Sequence, residues 1–245
     1  MINFLHIPKC GGSTIRRYLV KNFKSGGSKN SGTPIYVYGT TFMLGGSNAI
    51  YIDLDNLGDS TNDLLSTPCA GVVGHYSYNQ LTDFLNSKKT VESTFTTIRN
   101  PIDRMISDVN FMRVRPNHSG HSFAIDLTNA TLVDYIIWQG EDRQAGTYQL
   151  RLIGYDGCGN GLTKAEYSYL RSKMHIYKLS SSAQALQHFV GPMEPNSIEM
   201  KNVTAEIMQP DGPQNLLSLA DASPSQMKKI NHLLRADMKL FEFAE

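Results

Sequence analysis

Ile2-Asn3-Phe4-Leu5-His6-Ile7-Pro8-Lys9-Cys10-Gly11-Gly12-Ser13-Thr14 decides how this 245-residue chain folds. Ile2 to Leu5 is an apolar run of the length of one buried strand. Ile15 to Phe23 reads as a helix. Between them stands a tight turn with two glycines. A strand, a glycine turn and a helix opening with Ser13 and Thr14 make an anion cradle. Backbone N–H groups of the turn and the positive end of the helix dipole converge on one spot. Lys9 adds a full charge there, and the Ser13 and Thr14 hydroxyls add donors. Cys10 lies inside the turn, where the dipole would lower the pKa of its thiol. The guest such a turn selects is a phosphate or a group built like one.

This is not the GxxxxGK[ST] loop of nucleotide hydrolases. Lys9 precedes the glycines, and no Gly-Lys pair occurs in the chain. A lysine on the strand side of the turn meets the bridging oxygen of a mixed anhydride from the other side. A second strand-like run, Phe95 to Ile98, leads into Arg99-Asn100-Pro101-Ile102-Asp103-Arg104-Met105-Ile106-Ser107. Pro101 suits the first turn of a helix, and Ile102, Met105, Ile106 and Val109 recur at helical spacing. Arg99 at the strand end and Ser107 two turns along can pinch one phosphate between them. A third run, Ala70 to Val73, ends in Gly74-His75-Tyr76-Ser77-Tyr78. An imidazole such as that of His75, neutral near pH 7, can take the proton of an attacking hydroxyl.

The pattern Pro-Lys-x-Gly-Gly-Ser-Thr resembles the 5′-phosphosulfate loop of sulfotransferases that use 3′-phosphoadenosine 5′-phosphosulfate (PAPS). Arg-x-Pro-x-x-Arg-x-x-Ser, at Arg99 to Ser107, resembles the 3′-phosphate motif of the same family; Asn100 stands where the family often has aspartate. Gly74-His75-x-x-Tyr78 is similar to an element of the heparan sulfate 2-O-sulfotransferases and related carbohydrate enzymes, where the histidine is the base. The resemblance implies a P-loop-like, three-layer α/β fold with a central, mainly parallel sheet flanked by helices. It implies that Lys9, Cys10, Gly11, Gly12, Ser13 and Thr14 hold the 5′-phosphosulfate of PAPS, and Arg99 and Ser107 the 3′-phosphate. Lys9 and His75 would be the catalytic pair, with no metal required. More weakly, Gln149-Leu150-Arg151-Leu152 resembles a Gln-x-Arg stretch of many of these enzymes, and Asn202-Val203-Thr204 an Asn-x-Ser/Thr element near the nucleotide. Ala205 and Glu206 follow the latter in place of a basic residue. A late strand, His175 to Leu179, a helix from Ser180 to Phe189 and a closing helix from Ser225 to Ala244 also have counterparts there.

Composition sets the frame. A chain of 245 residues can bury one sizeable core, so 1–245 reads as a single domain. Further strands at Ile35 to Tyr38 and Ala49 to Leu54 alternate with helical stretches, the pattern of a parallel α/β sheet. Such sheets bind ligands at the carboxyl ends of their strands, where Lys9, His75 and Arg99 fall. The charge balance is +1, from 23 basic and 22 acidic residues. That speaks against nucleic acid and against long polyanionic chains as partners, and leaves a small-molecule or carbohydrate acceptor. No stretch reaches the roughly 18 apolar residues of a membrane span, and no basic, apolar leader opens the chain. Three scattered cysteines read as free thiols of a reducing compartment, so the expected location is cytoplasmic. The sequons at Asn117, Asn129 and Asn202 then read as chance matches.

The remaining features have plainer readings. His6 beside the turn reads as structural. His118 and His121 lack a third ligand for a metal, and Tyr51 to Asp55 resembles a Walker B strand end only in outline. Trp138 reads as core. The Gly- and Ser-rich stretch from Ser25 to Thr33 and the loop from Arg113 to His121 are placed to form an acceptor wall or lid. Two other reading classes stand beside transfer of a sulfuryl group to an acceptor hydroxyl. One is a P-loop-type kinase or hydrolase, which would need a magnesium-binding carboxylate set; the other is a nucleotide-binding module without catalysis.

Overall fold

Every strand expected from the sequence takes its place in one six-stranded sheet, ordered β3-β2-β4-β1-β5-β6, in the computed structural model of the chain. The strands are β1 Ile2–Leu5, β2 Ile35–Tyr38, β3 Ala49–Ile52, β4 Gly71–Gly74, β5 Ser93–Ile98 and β6 His175–Lys178. The structure describes residues 2–24, 35–38, 49–52, 71–88, 93–114, 131–142, 145–155, 157, 162–191, 218–220 and 222–244. The stretch from Ser25 to Thr33, His118, His121, Asp53, Asp55, the three sequons and the Asn202 element lie outside them. The sheet was expected to be mainly parallel; each of its five pairings is parallel.

Alternation along the strands builds the three layers. Phe4, Val73 and Phe95 point to one face, against Ile15 and Leu19 of α1 (Gly12–Lys24) and Ala185 and Leu186 of a later helix, Ser182–Val190. Leu5, Ile98 and Ile176 point to the other face, against Leu81, Leu150, Leu170 and Leu240. Those four belong to α2 (Tyr78–Lys88), to the short helix Tyr148–Leu152, to Lys164–Lys173 and to Arg235–Phe243. A third cluster joins the helices Pro101–Val114, Leu132–Asp142 and Pro224–Leu233 through Met105, Val109, Tyr135, Ile136, Ile230 and Leu234, with Trp138 packed against it. Among the described residues no helix is long and apolar enough to cross a membrane.

The connection leaving β1 heads towards β2 on one side, and the one leaving β5 heads towards β6 on the other. The two part company at neighbouring strands, β1 and β5, and it is outside the carboxyl ends of such a pair that parallel α/β sheets bind ligands. The glycine turn and Arg99 lie there.

The closing helix differs from its expected form. It is two helices, Pro224–Leu233 and Arg235–Phe243, with Leu234 out of helical geometry at φ −94° and ψ 6°. Ser223 and Gln226 start the first with a reciprocal capping box, and Pro224 occupies its first turn. The break sits against Gly146, where a Cβ would land on the Leu233 carbonyl oxygen. Beyond the break the chain lays Asp237 under the start of Tyr148–Leu152. Its two carboxylate oxygens accept the N–H groups of Gln149 (2.9 Å) and Leu150 (3.0 Å).

Asp237 is completely buried. Burial pushes its carboxyl up to about 7, while those two N–H groups and the Arg104 and Arg151 charges pull it down. The folded state therefore holds a proton that the unfolded chain releases near the ordinary value of 3.8. Stability from this group is full below that value and is lost as pH rises through about 7. Asp237→Asn is expected to lose this slope. Its melting temperature relative to wild type should rise by a few degrees between pH 5 and pH 8, at about 2–4 °C per kcal/mol for a chain of this size. A difference that falls over that interval would reverse the sign argued here.

Candidate active site

The turn after β1 is shaped by its backbone. Cys10 N–H closes onto the Ile7 carbonyl at 3.2 Å, and the N–H groups of Thr14 and Ile15 both return to the Gly11 carbonyl. Lys9 is held at φ +66° and Gly11 at φ +77°, in the left-handed region. Among the described residues Lys9 is the one non-glycine there, and such local strain collects at ligand sites. The space where Gly11 would carry a Cβ is filled by Leu179 Cδ1, and that of Gly12 by the His6 ring. The two glycines thus answer to packing as well as to the turn. Gly12 and Ser13 begin α1, so their N–H groups have no acceptor within the helix and face the end of the turn. Ser13 is exposed and Thr14 half-buried.

β5 straps this turn in place. Thr97 Oγ1 donates to the Cys10 carbonyl at 2.9 Å, and Thr96 Oγ1 to the Leu5 carbonyl at 2.7 Å. Arg99 follows directly, and its Nη1 donates to the Lys9 carbonyl at 3.4 Å. The departure at Asn100 has a local use. Its Oδ1 accepts the N–H groups of Ile102 (2.9 Å) and Asp103 (3.4 Å) and caps Pro101–Val114, a task asparagine and aspartate do equally well. Along that helix Ser107 is half-buried, and Phe111 lies one turn further on the same face. Lys9 Nζ stands 3.8 Å from the Phe111 ring centroid. Lys9 is therefore brought to the face of the helix that carries Ser107. Arg104, between them in sequence, is buried, with its guanidinium over the Tyr148 ring at 4.4 Å and 3.9 Å from Asp108.

His75 comes from the end of β4. Its ring stacks on that of His6, with centroids 3.9 Å apart, and its Nδ1 lies 2.9 Å from the His6 carbonyl oxygen. A carbonyl can only accept, so Nδ1 carries the ring proton and Nε2 keeps a free lone pair in the neutral tautomer. The protein packed around the ring lowers the His75 pKa, the hydrogen bond to His6 opposes this, and the Arg16 charge adds to it. The imidazole is thus neutral at pH 7 and exposed at the surface of the site. His6 is buried, as a structural residue would be. Burial first, then the charges of His75, Arg16 and Lys9, hold its pKa well below the ordinary value.

Cys10 differs from its sequence reading in one respect. Burial pushes its thiol up to about 12, against the lowering by Arg104 and Arg99, so the dipole of α1 does not make it a thiolate. Its Sγ points inward and donates to Gln149 Oε1 at 3.3 Å. The sequence reading assigned no role to Gln149, to Asp237 or to Leu179. An acidic residue on the apolar face formed by Ala236 and Leu240 was a readable sign of a buried carboxylate; the Gln-x-Arg resemblance marked Gln149 without giving it a role, and Leu179 carried no sign.

A scan against protein-family models and a search of the curated proteins both find no match. Among solved structures, mouse sulfotransferase SULT7A1 complexed with PAP is similar to this chain. The TM-score is 0.49 at 15% identity, covering 99% of this chain and 88% of that one. A functional reading of the site has to come from this chain's own side chains.

Proposed function

We propose that the chain transfers a sulfuryl group from PAPS to an acceptor hydroxyl of a carbohydrate or small molecule. The observation that carries this reading is that Lys9, Arg99 and His75 follow the carboxyl ends of three neighbouring strands, β1, β5 and β4, with Arg99 bonded to the Lys9 carbonyl and His75 to that of His6. The donor set suits a nucleotide with phosphates at both ends of its ribose. The opening N–H groups of α1, the glycine turn and Lys9 offer one anion site, and the Arg99 fork and Ser107 offer a second.

When bound, PAPS would supply the sulfuryl group for in-line displacement by the acceptor oxygen. Gly11, Gly12, Ser13 and Thr14 would hold its 5′ end, with Cys10 shaping the turn, since its own N–H is spent on the Ile7 carbonyl and its carbonyl on Thr97. Arg99 and Ser107 would hold the 3′-phosphate. Lys9 would stabilise charge gathering on the leaving bridging oxygen, an interaction stronger in the transition state than before it. His75 Nε2 would take the acceptor proton.

Two measurements test the donor. By calorimetry, wild type should bind PAPS and adenosine 3′,5′-bisphosphate far better than ATP. Arg99→Ala should weaken the bisphosphate about 10–100-fold, as charged hydrogen bonds worth roughly 1.5–3 kcal/mol each are lost. Equal affinity for PAPS and ATP in wild type would favour a kinase or hydrolase. Lys9→Ala should lower turnover more than donor affinity; a raised KM at unchanged kcat would make Lys9 a ground-state clamp.

A further inference from the structure

We propose that Gln149 is a positioning residue that sets the separation of the two phosphate loops, the glycine turn at Cys10 and the strand end at Arg99. This rests on the donor reading above, which makes those loops the two ends of one nucleotide site. Gln149 is completely buried. Its Oε1 accepts from the Arg99 N–H at 3.0 Å and from Cys10 Sγ at 3.3 Å, and its Nε2 donates to the Arg99 carbonyl at 2.9 Å. One side chain thus grips Arg99 at both backbone groups, much as a neighbouring strand would, and holds the turn with the same oxygen. The Gln149 backbone is fixed in turn, since its own N–H is one of the two on Asp237. The chain of contact runs from the last helix through Asp237 and Gln149 to both loops.

A buried site filled for stability alone is better served by leucine or methionine, which leave no polar atom to satisfy. Here each polar atom of the side chain is spent on one of the two loops. Arg99 reaches a 3′-phosphate only from where its backbone stands, and the cradle reaches the 5′ end only from where Cys10 stands. A shift of about 1 Å between two such groups is enough to cost much of a bidentate grip.

Gln149→Met matches the length of the side chain, deletes its three hydrogen bonds and leaves the backbone bond to Asp237. In the ligand-free protein, hydrogen exchange at the Arg99 amide should speed about tenfold or more, while amides within β5 stay as in wild type. By calorimetry, affinity for adenosine 3′,5′-bisphosphate should fall about tenfold more than affinity for AMP, the loss of one or two neutral hydrogen bonds expressed as coupling between the phosphates. Gln149→Glu keeps the acceptor and loses the donor, so it should fall between, and it carries the same readouts if the methionine variant does not fold. An Arg99 amide that exchanges as in wild type overturns the proposal, and so does an equal loss for bisphosphate and AMP. If wild type binds neither nucleotide while the Arg99 amide still responds to Gln149→Met, the donor reading falls and the coupling of the two loops stands.

Discussion

Replacing His75 by alanine is expected to slow transfer about 10²–10⁴-fold and to leave donor affinity within about twofold. The rate loss follows from the geometry of one ring. The His6 carbonyl, 2.9 Å from Nδ1, accepts the proton there, so Nε2 is the free base of an exposed residue. Affinity should hardly move, because the anion sites belong to other residues. The pH profile gives an independent check. The lowered His75 pKa places the acid limb of the wild-type rate below the ordinary histidine value of 6.5. Below that limb the ring is protonated and has no lone pair to give. His75→Ala should run slowly and without that limb. His6→Ala is the control, since its ring lies in the same stack but is buried against Gly12. It should keep the limb and lose stability or donor affinity. If His6→Ala removes the limb and His75→Ala keeps it, the base is the other histidine. If both variants turn over at wild-type rate, the acceptor needs no base, as a neutral amine does not, and transfer to a hydroxyl is wrong.

The parts of this site that could be read in the sequence are those where local chemistry and local structure coincide. Lys9, the glycines and α1 are contiguous, so a strand, a turn and a helix dipole could be read together. Arg99 and Ser107 are linked by one helix with a proline start, and their spacing is fixed by that helix. His75 could be placed at a strand end, but its tautomer could not, because the carbonyl that sets it belongs to β1's exit. What sequence reading missed is carried by distant partners. Gln149 and Arg99 are 50 residues apart, and Asp237 and Gln149 are 88 apart. No period or motif links such pairs; only the fold brings them together. The pKa of Cys10 failed for the same reason. The helix dipole was visible in the sequence, whereas the burial that outweighs it came from Gln149, Tyr148 and the far face of the sheet. The broken closing helix is a case of tertiary contact overriding a continuous apolar period, since the backbone at Leu233 has to pass Gly146.

Gly12→Ala should cost about 100-fold in affinity for adenosine 3′,5′-bisphosphate, although a helix start ordinarily gains from alanine over glycine. The expectation rests on one collision. Gly12 has no positive φ to defend, so strain in its own backbone is not the reason. Its missing Cβ is the site of the His6 ring. That ring has little room to yield: His75 stacks on it at 3.9 Å, and Phe4 stands 5.8 Å away in the core. With the ring pinned in this way the helix start has to move, taking the N–H groups of Gly12 and Ser13 with it. That displaces the donors of the 5′ anion site. Removing the ring should therefore relieve the damage. His6→Ala combined with Gly12→Ala should bind the bisphosphate within about threefold of His6→Ala alone, a coupling of about 1–3 kcal/mol between two touching residues. Melting temperatures should show the same non-additivity. If Gly12→Ala binds as wild type does, the two residues do not crowd each other. If the double variant loses the plain sum of the two single losses, His6 is not what Gly12 makes room for, and the turn owes its shape to the backbone of Lys9 and Gly11 instead.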